Sequence, residues 1–390
     1  MKDNFKFLGG FSFKSIIINI IISLSIFLIF VAVIEIVLRT THLFGARVSW
    51  SEPDTMLGYR IIPNSKYWFH EENDHPITGK NNSYGWRDKE WALKKPQNTY
   101  RIAVLGDSMV EAQQVESDST FLTLTERQLD ENHKLKVELM NFGRSGFAQT
   151  EELWVLENRV EQFSPDMVIV FFNPPTDIGD ISRETAISVL RPFSTFSEKE
   201  KLTLDTSFVN SREFKYKCFN QWFKKHSIVI SFISMRYTLY KKQSAFKKKI
   251  SRTPVINSFL SLCTSNPDAT YLKNYQLNKT LIKAMAEYCK DKKIKFMLVT
   301  IDIDAYIPEV EKKHKSIDTT FNTNYFEDDM KNYAASLNIE HLGLQRIFRK
   351  AYENTGVSLH WGHWNYEGHK IVANALSVKL KAVIAPFEEW

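Results

Sequence analysis

The chain has 390 residues, enough for one large domain or two ordinary ones. Its 43% hydrophobic and 25% charged residues, with a formal net charge of +6, are ordinary for a globular protein. Three cysteines, Cys218, Cys263 and Cys289, are an odd count with no metal spacing, which argues against a disulfide framework.

The first element in chain order is an almost wholly aliphatic run over residues 16–38. At about 1.5 Å per residue such a helix reaches across a hydrocarbon core of roughly 30 Å. A signal peptide usually has a shorter apolar region, and no Ala-x-Ala site follows here, so a retained transmembrane helix over 15–38 is expected. Lys2, Lys6 and Lys14 precede it, and Arg39 and Arg47 follow. That slight bias favours a cytoplasmic N-terminus over residues 1–14 and a large domain outside the cytoplasm. Asn19 and Glu35 lie toward the ends of the run, where snorkelling is expected rather than a helix partner.

Residues 39–98 are rich in Asn, Pro, Gly and aromatics without clear periodicity, and read as an extended lead-in. From residue 99 the pattern alternates between strand and helix. Apolar runs at 101–105, 136–141, 167–172 and 295–300 have the length of buried parallel strands, and a weak strand follows near 338–343. Helical spacing occupies 119–132, 148–162, 272–291, 323–336 and 367–384. Five βα units predict a doubly wound α/β sheet with helices on both faces.

The stretch 183–270 interrupts this rhythm. Between Arg212 and Arg252 it carries twelve Lys or Arg against one acid, Glu213, with aromatics interleaved. Three readings stand side by side: a patch on anionic lipid headgroups, a binder of an acidic polymer, or a solvated basic helical insertion. Nucleic acid is not expected as a partner of a domain outside the cytoplasm.

Chemistry concentrates at two places. Residues 101–108 run an apolar strand into a Gly106-Asp107-Ser108 turn, and His363 lies 255 residues later, just before the last helical pattern. In open α/β sheets, function gathers at the carboxyl ends of strands. A serine there, with its own N–H open to an oxyanion, and a downstream histidine suggest nucleophile and base for acyl transfer. The rival reading makes Ser108 a helix cap. Asp107 is expected to shape the turn and His369 to pack, and a zinc site from His360, His363 and His369 is disfavoured.

Three short blocks and a lead-in segment give the chain a specific likeness. It resembles the SGNH (GDSL-type) hydrolase superfamily, membrane-anchored bacterial members included, from about residue 99 to the C-terminus. The first block is matched by Val104-Leu105-Gly106-Asp107-Ser108-Met109-Val110-Glu111 and the second by Asn141-Phe142-Gly143-Arg144-Ser145-Gly146. The last is matched by Gly362-His363-Trp364-Asn365 and Gly368-His369, and Asn82-Ser83-Tyr84-Gly85-Trp86-Arg87-Asp88 is similar to a segment ahead of anchored members. The resemblance implies a flavodoxin-like three-layer α/β/α domain over 99–390, with about five parallel strands. It also implies a Ser108–His363 pair, an oxyanion held by the N–H groups of Ser108 and Gly146, and no metal or organic cofactor. The implied substrate is an acyl ester of a carbohydrate or lipid.

Two departures follow. Where the third block ends in Gly-x-Asn-Asp, this chain has Asn173-Pro174-Pro175-Thr176-Asp177, so Thr176 or Asn173 must supply the side-chain oxyanion donor. The Asp that usually precedes the histidine by two or three residues is replaced by Trp361 and His360. A backbone carbonyl, or Asp302 or Asp304 by position, is left to orient His363. Arg144 is a candidate contact for an anionic substrate. The expectation is an extracytoplasmic ester hydrolase held by one membrane helix. The alternatives are an O-acyltransferase of surface polysaccharide with a membrane-bound acyl-donor partner, or a degenerate, non-catalytic binding domain.

Overall fold

The computed structural model describes residues 13–43, 49–130, 135–196, 202–250 and 258–385, with backbone only at 196, 239 and 241–250. Contacts divide the chain into two units, one of residues 50–218 with 249–390 and one of residues 1–49 with 219–248.

The larger unit is built on a five-stranded sheet: β5 (Thr99–Gly106), β6 (Lys136–Gly143), β7 (Met167–Phe172), β10 (Lys295–Thr300) and β11 (Glu340–Gly343). All pairings are parallel, in the order β11-β10-β7-β5-β6. Counted within the sheet, that is the 2-1-3-4-5 order of a flavodoxin-like fold. Alternation along each strand divides the core. Ala103, Leu105, Val168, Val170 and Leu298 face helices α4 (Gln149–Val155), α8 (Ala269–Asp291) and α10 (Tyr325–Ser336). Ile102, Val104, Ile169, Phe171 and Val299 face α3 (Phe121–Asp130), α11 (Gln345–Thr355) and α12 (Tyr366–Ile384). Both faces are covered, which is why the central strands β5, β7 and β10 read as near-continuous apolar runs rather than alternating ones.

The order of connections reverses between β5 and β7, so the crevice beyond their carboxyl ends is the topological switch point. A one-turn helix α2 (Ser108–Glu111) leaves the end of β5, and α5 (Pro174–Asp180) leaves the end of β7.

The expected extended lead-in is corrected from Trp50 onward. Two hairpins form there, β1 (Ser51–Asp54) with β2 (Gly58–Ile61) and β3 (Lys66–Phe69) with β4 (Ile77–Lys80). Leu57, Trp86 and Trp91 enter the main core, where Trp86 meets Phe142 edge-on at 5.2 Å. Strands of four residues are too short to display a period, so aromatic anchoring rather than patterning holds this segment. The insertion at 183–270 is also not wholly helical. It holds a hairpin, β8 (Phe193–Phe196) with β9 (Leu202–Asp205), before α6 (Arg212–His226) and α7 (Ile228–Ile250). A helix α9 (Pro308–Ile317) follows β10.

In the smaller unit α1 spans Phe13–Thr41 and, among the described residues, is the helix long and apolar enough to cross a membrane. Its Glu35 does not simply snorkel. The carboxylate accepts from the amides of Ile228 and Val229 at 2.8 and 3.0 Å and from Ser227 Oγ at 2.9 Å, closing the N-terminus of α7. Arg39 pairs with Glu35 and donates to the His226 carbonyl at 2.8 Å, while Ile34 and Leu38 pack on Ile228, Val229 and Phe232.

Candidate active site

Ser108 begins α2 at the switch point, immediately after Asp107, whose Oδ1 accepts the Met109 amide at 2.9 Å. Asp107 is therefore the helix cap, as expected of its side chain, and the serine hydroxyl is left to face outward. His363 sits in a tight turn closed by a His360–Trp364 bridge, just before α12. Trp364, fully buried, anchors that turn in the core against Phe121, Phe171 and Phe348. The two side chains meet: His363 Nε2 lies 2.7 Å from Ser108 Oγ.

Glu72 occupies the other ring nitrogen. Its Oε1 is 2.6 Å from His363 Nδ1, and its Oε2 accepts the His363 amide at 2.9 Å. Neither Asp302, Asp304 nor a carbonyl takes this place. Glu72 lies in the loop between β3 and β4, and neighbouring Asn73 fixes that loop by donating to the Gln114 carbonyl and the Tyr366 hydroxyl. Gly362 allows the approach, since a Cβ there would stand 3.2 Å from Glu72 Oε1. Nothing local in sequence marks Glu72, which is 291 residues from its partner. The only signal in the sequence is a short acidic stretch, Glu71-Glu72-Asn73-Asp74, between an aromatic segment, Tyr67-Trp68-Phe69, and Ile77.

The electrostatics agree with this pairing. Burial opposes charge on His363, but the hydrogen bond and charge of Glu72 outweigh it and hold the imidazole pKa above its ordinary value. Burial likewise works to raise Glu72, and its bonds to His363 bring the carboxyl below its usual range. Asp302 has a different fate. Its Oδ1 accepts the Trp364 indole N–H at 3.1 Å, and burial pushes its pKa up to about 8. His360 lies 3.4 Å from Asp302 Oδ2, but burial pushes that imidazole down to about 4. Both groups are neutral near pH 7, so the contact is not an ion pair. Asp304 is exposed on a short turn.

The turn carrying Gly146 is held beside Ser108 from several sides. Arg144 N donates to the Gly106 carbonyl at 3.0 Å, and Glu111 Oε2 accepts from Ser145 N at 2.8 Å and Ser145 Oγ at 2.5 Å. Tyr59 donates to the Ser145 carbonyl at 2.5 Å. Gly146 has φ +75°, a left-handed conformation that suits glycine. Among the described residues no acceptor takes up the amides of Ser108 or Gly146. Arg144 is not a substrate contact. It is buried, lies 4.2 Å over the Trp86 ring and donates to the Gly85 carbonyl at 2.7 Å.

Asn173 and Thr176 both stand at the switch point, but their polar groups are turned to each other and to Asp107. Asn173 Nδ2 donates to Asp107 Oδ2 at 2.8 Å and lies 3.4 Å from Thr176 Oγ1. The Pro174-Pro175 pair starts α5 directly after Asn173, which holds the residue at the helix cap and fixes its amide beside Asp107. His369 packs, as expected. Its Nδ1 accepts the Phe121 amide at 3.2 Å, Nε2 lies 3.2 Å from Gln114 Nε2, and the ring stacks on Phe121. Among the described residues no group of three His, Cys, Asp or Glu is placed to hold a metal ion.

No family model matches the chain, and no curated protein matches it. Solved structures do. LAE5, an alpha/beta hydrolase enzyme from the metagenome of Lake Arreo, is 13% identical, with 73% of this chain and 96% of that one covered at a TM-score of 0.41. The psychrotrophic esterase EstA from Pseudoalteromonas is 13% identical over 74% of this chain and 100% of its own, at 0.37. A GDSL-like lipase from Bacteroides thetaiotaomicron is 13% identical over 75% and 92%, at 0.36.

Proposed function

We propose that the protein is an SGNH-type serine ester hydrolase acting through Ser108, His363 and Glu72. The observation that carries this reading is the unbroken line from Ser108 Oγ through both ring nitrogens of His363 to a carboxylate. His363 Nε2 takes the Ser108 proton as Oγ attacks the ester carbonyl carbon. The resulting oxyanion accepts from the N–H groups of Ser108 and Gly146, and His363 then returns the proton to the leaving alcohol. Water repeats the sequence on the acyl-enzyme. Glu72 keeps Nδ1 protonated and stabilises the imidazolium.

An amide donor at position 176 is missing and Asn173 is turned to Asp107, so the oxyanion rests mainly on the two backbone donors. Loss of one such donor typically lowers the rate on the order of 10²–10³-fold, so a modest turnover is expected. The substrate class proposed is an acyl ester of a carbohydrate or lipid. The anchor proposed is α1, with residues 1–14 cytoplasmic and the hydrolase outside. A degenerate binder has no need for an acid at the far ring nitrogen, and Glu72 argues against it. The test is p-nitrophenyl acetate turnover by the whole protein in detergent. Ser108→Ala should reduce it to the blank rate, and equal rates for the two proteins would overturn the nucleophile. Transfer to an added sugar hydroxyl in place of water would assign an O-acyltransferase on the same residues.

A further inference from the structure

We infer that residues 219–240 form an arm that lies in the headgroup layer of an anionic membrane, pinned to the end of α1 by Glu35. The inference rests on reading α1 as a membrane span. α7 turns Ile228, Val229 and Phe232 toward Ile34 and Leu38 of α1. Ile230, Ile233, Tyr237 and Tyr240, spaced by three and four residues, form a separate stripe that is exposed. The end of α6 repeats the pattern, with Phe219 and Trp222 69% and 63% exposed. Large apolar and aromatic side chains in continuous exposed stripes are not how a solvated insertion is surfaced.

The charge chooses the occupant. Twelve Lys or Arg stand between Arg212 and Arg252 against one acid, and Lys224, Lys225 and Arg236 interleave with the stripes. Aromatics and aliphatics on one face with cations beside them are the composition of a helix lying at a charged interface. Glu35 makes the placement specific. Its carboxylate takes three donors, Ser227 Oγ just before α7 and the amides of Ile228 and Val229 that begin it, only six residues before α1 ends at Thr41. The arm is therefore fastened at the depth where a membrane helix leaves the hydrocarbon. An acidic polymer would satisfy the cations but leave the apolar stripes in water.

The full chain carries one exposed cysteine, Cys218, while Cys263 and Cys289 are buried. In a Cys218→Ser background, Ile233→Cys and, separately, Ile26→Cys take a nitroxide label in nanodiscs of phosphatidylcholine with or without phosphatidylglycerol. At 233 in anionic discs, collision with oxygen should exceed collision with a water-soluble nickel chelate several-fold. Lys224→Glu/Lys225→Glu/Arg236→Glu should abolish that preference. A label at 233 open to the chelate while that at 26 is shielded would overturn the arm and leave the span. Shielding at 233 only after dextran sulfate is added would overturn it in favour of an acidic polymer. A label at 26 open to the chelate would overturn the span, and the arm with it.

Discussion

In the proposed mechanism, His363 is the residue through which solution pH reaches the chemistry. Glu72 holds its pKa above the ordinary imidazole value despite burial, so the ring keeps its proton to higher pH than an exposed histidine. A general base must be neutral. The rate constant kcat/KM for p-nitrophenyl acetate should therefore rise with pH through a midpoint above the usual histidine range, and be lost as pH falls through it. Glu72→Gln removes the charge that lifts the ring, so the limb should move to lower pH. The same change should lower kcat by on the order of 10⁴, the loss seen when the third member of such a triad is neutralised. A limb that stays where it was would show that Glu72 is not felt by the rate-limiting proton transfer. Asp302→Asn offers the contrast: that group is already neutral near pH 7 and faces Trp364, so the limb should not shift.

At the scale of elements, the site depends on two strand ends held against one short helix. A Cβ on Gly143, the last residue of β6, would stand 2.6 Å from both Glu111 N and Val110 Cβ in α2. Gly143→Ala therefore pushes β6 away from the turn that presents Ser108, an overpacking expected to cost about 1–3 kcal/mol. Gly146 differs, for a Cβ there meets nothing within 4 Å and only its φ of +75° is unfavourable. Gly146→Ala should cost about 1–2 kcal/mol from backbone strain alone. The two variants should separate in thermal midpoint and in residual esterase rate, with Gly143→Ala the worse in both; the reverse order would mean that the turn, not the α2 contact, is the weak point. Glu111→Ala removes the acceptor that fixes Ser145 N and Oγ, and should reduce kcat more than it raises KM, because it loosens the Gly146 donor rather than the substrate pocket.

For the whole molecule, the central sheet was legible because four of its five strands, β5, β6, β7 and β10, are buried on both faces, which leaves runs too long for a turn and too short for a helix, whereas the edge strand β11 has no buried residue and gave only a weak signal. Ser108 and His363 were legible because each sits in a compact block at a strand end or helix start, where neighbours in sequence carry the signal. Glu72 was not, since it reaches the site from a hairpin whose strands have four residues each and whose fit depends on distant positions, Gly362 beside Glu72 itself and Tyr366 beside its neighbour Asn73. Glu35 escaped for the same reason: its partners, Ser227 to Val229, lie more than 190 residues away. Orientation across the membrane belongs to this scale as well. Three lysines, Lys2, Lys6 and Lys14, stand before the apolar run, against Arg39 and Arg47 after it, and positive charge is retained on the cytoplasmic side. Alkaline phosphatase fused after Trp390 should then be active and a fluorescent protein at the same place dark. The opposite pair of results would put the hydrolase in the cytoplasm. Because the charge difference is one residue, replacing Lys2 and Lys6 by Glu should yield a mixture of the two orientations, read as partial activity from both reporters.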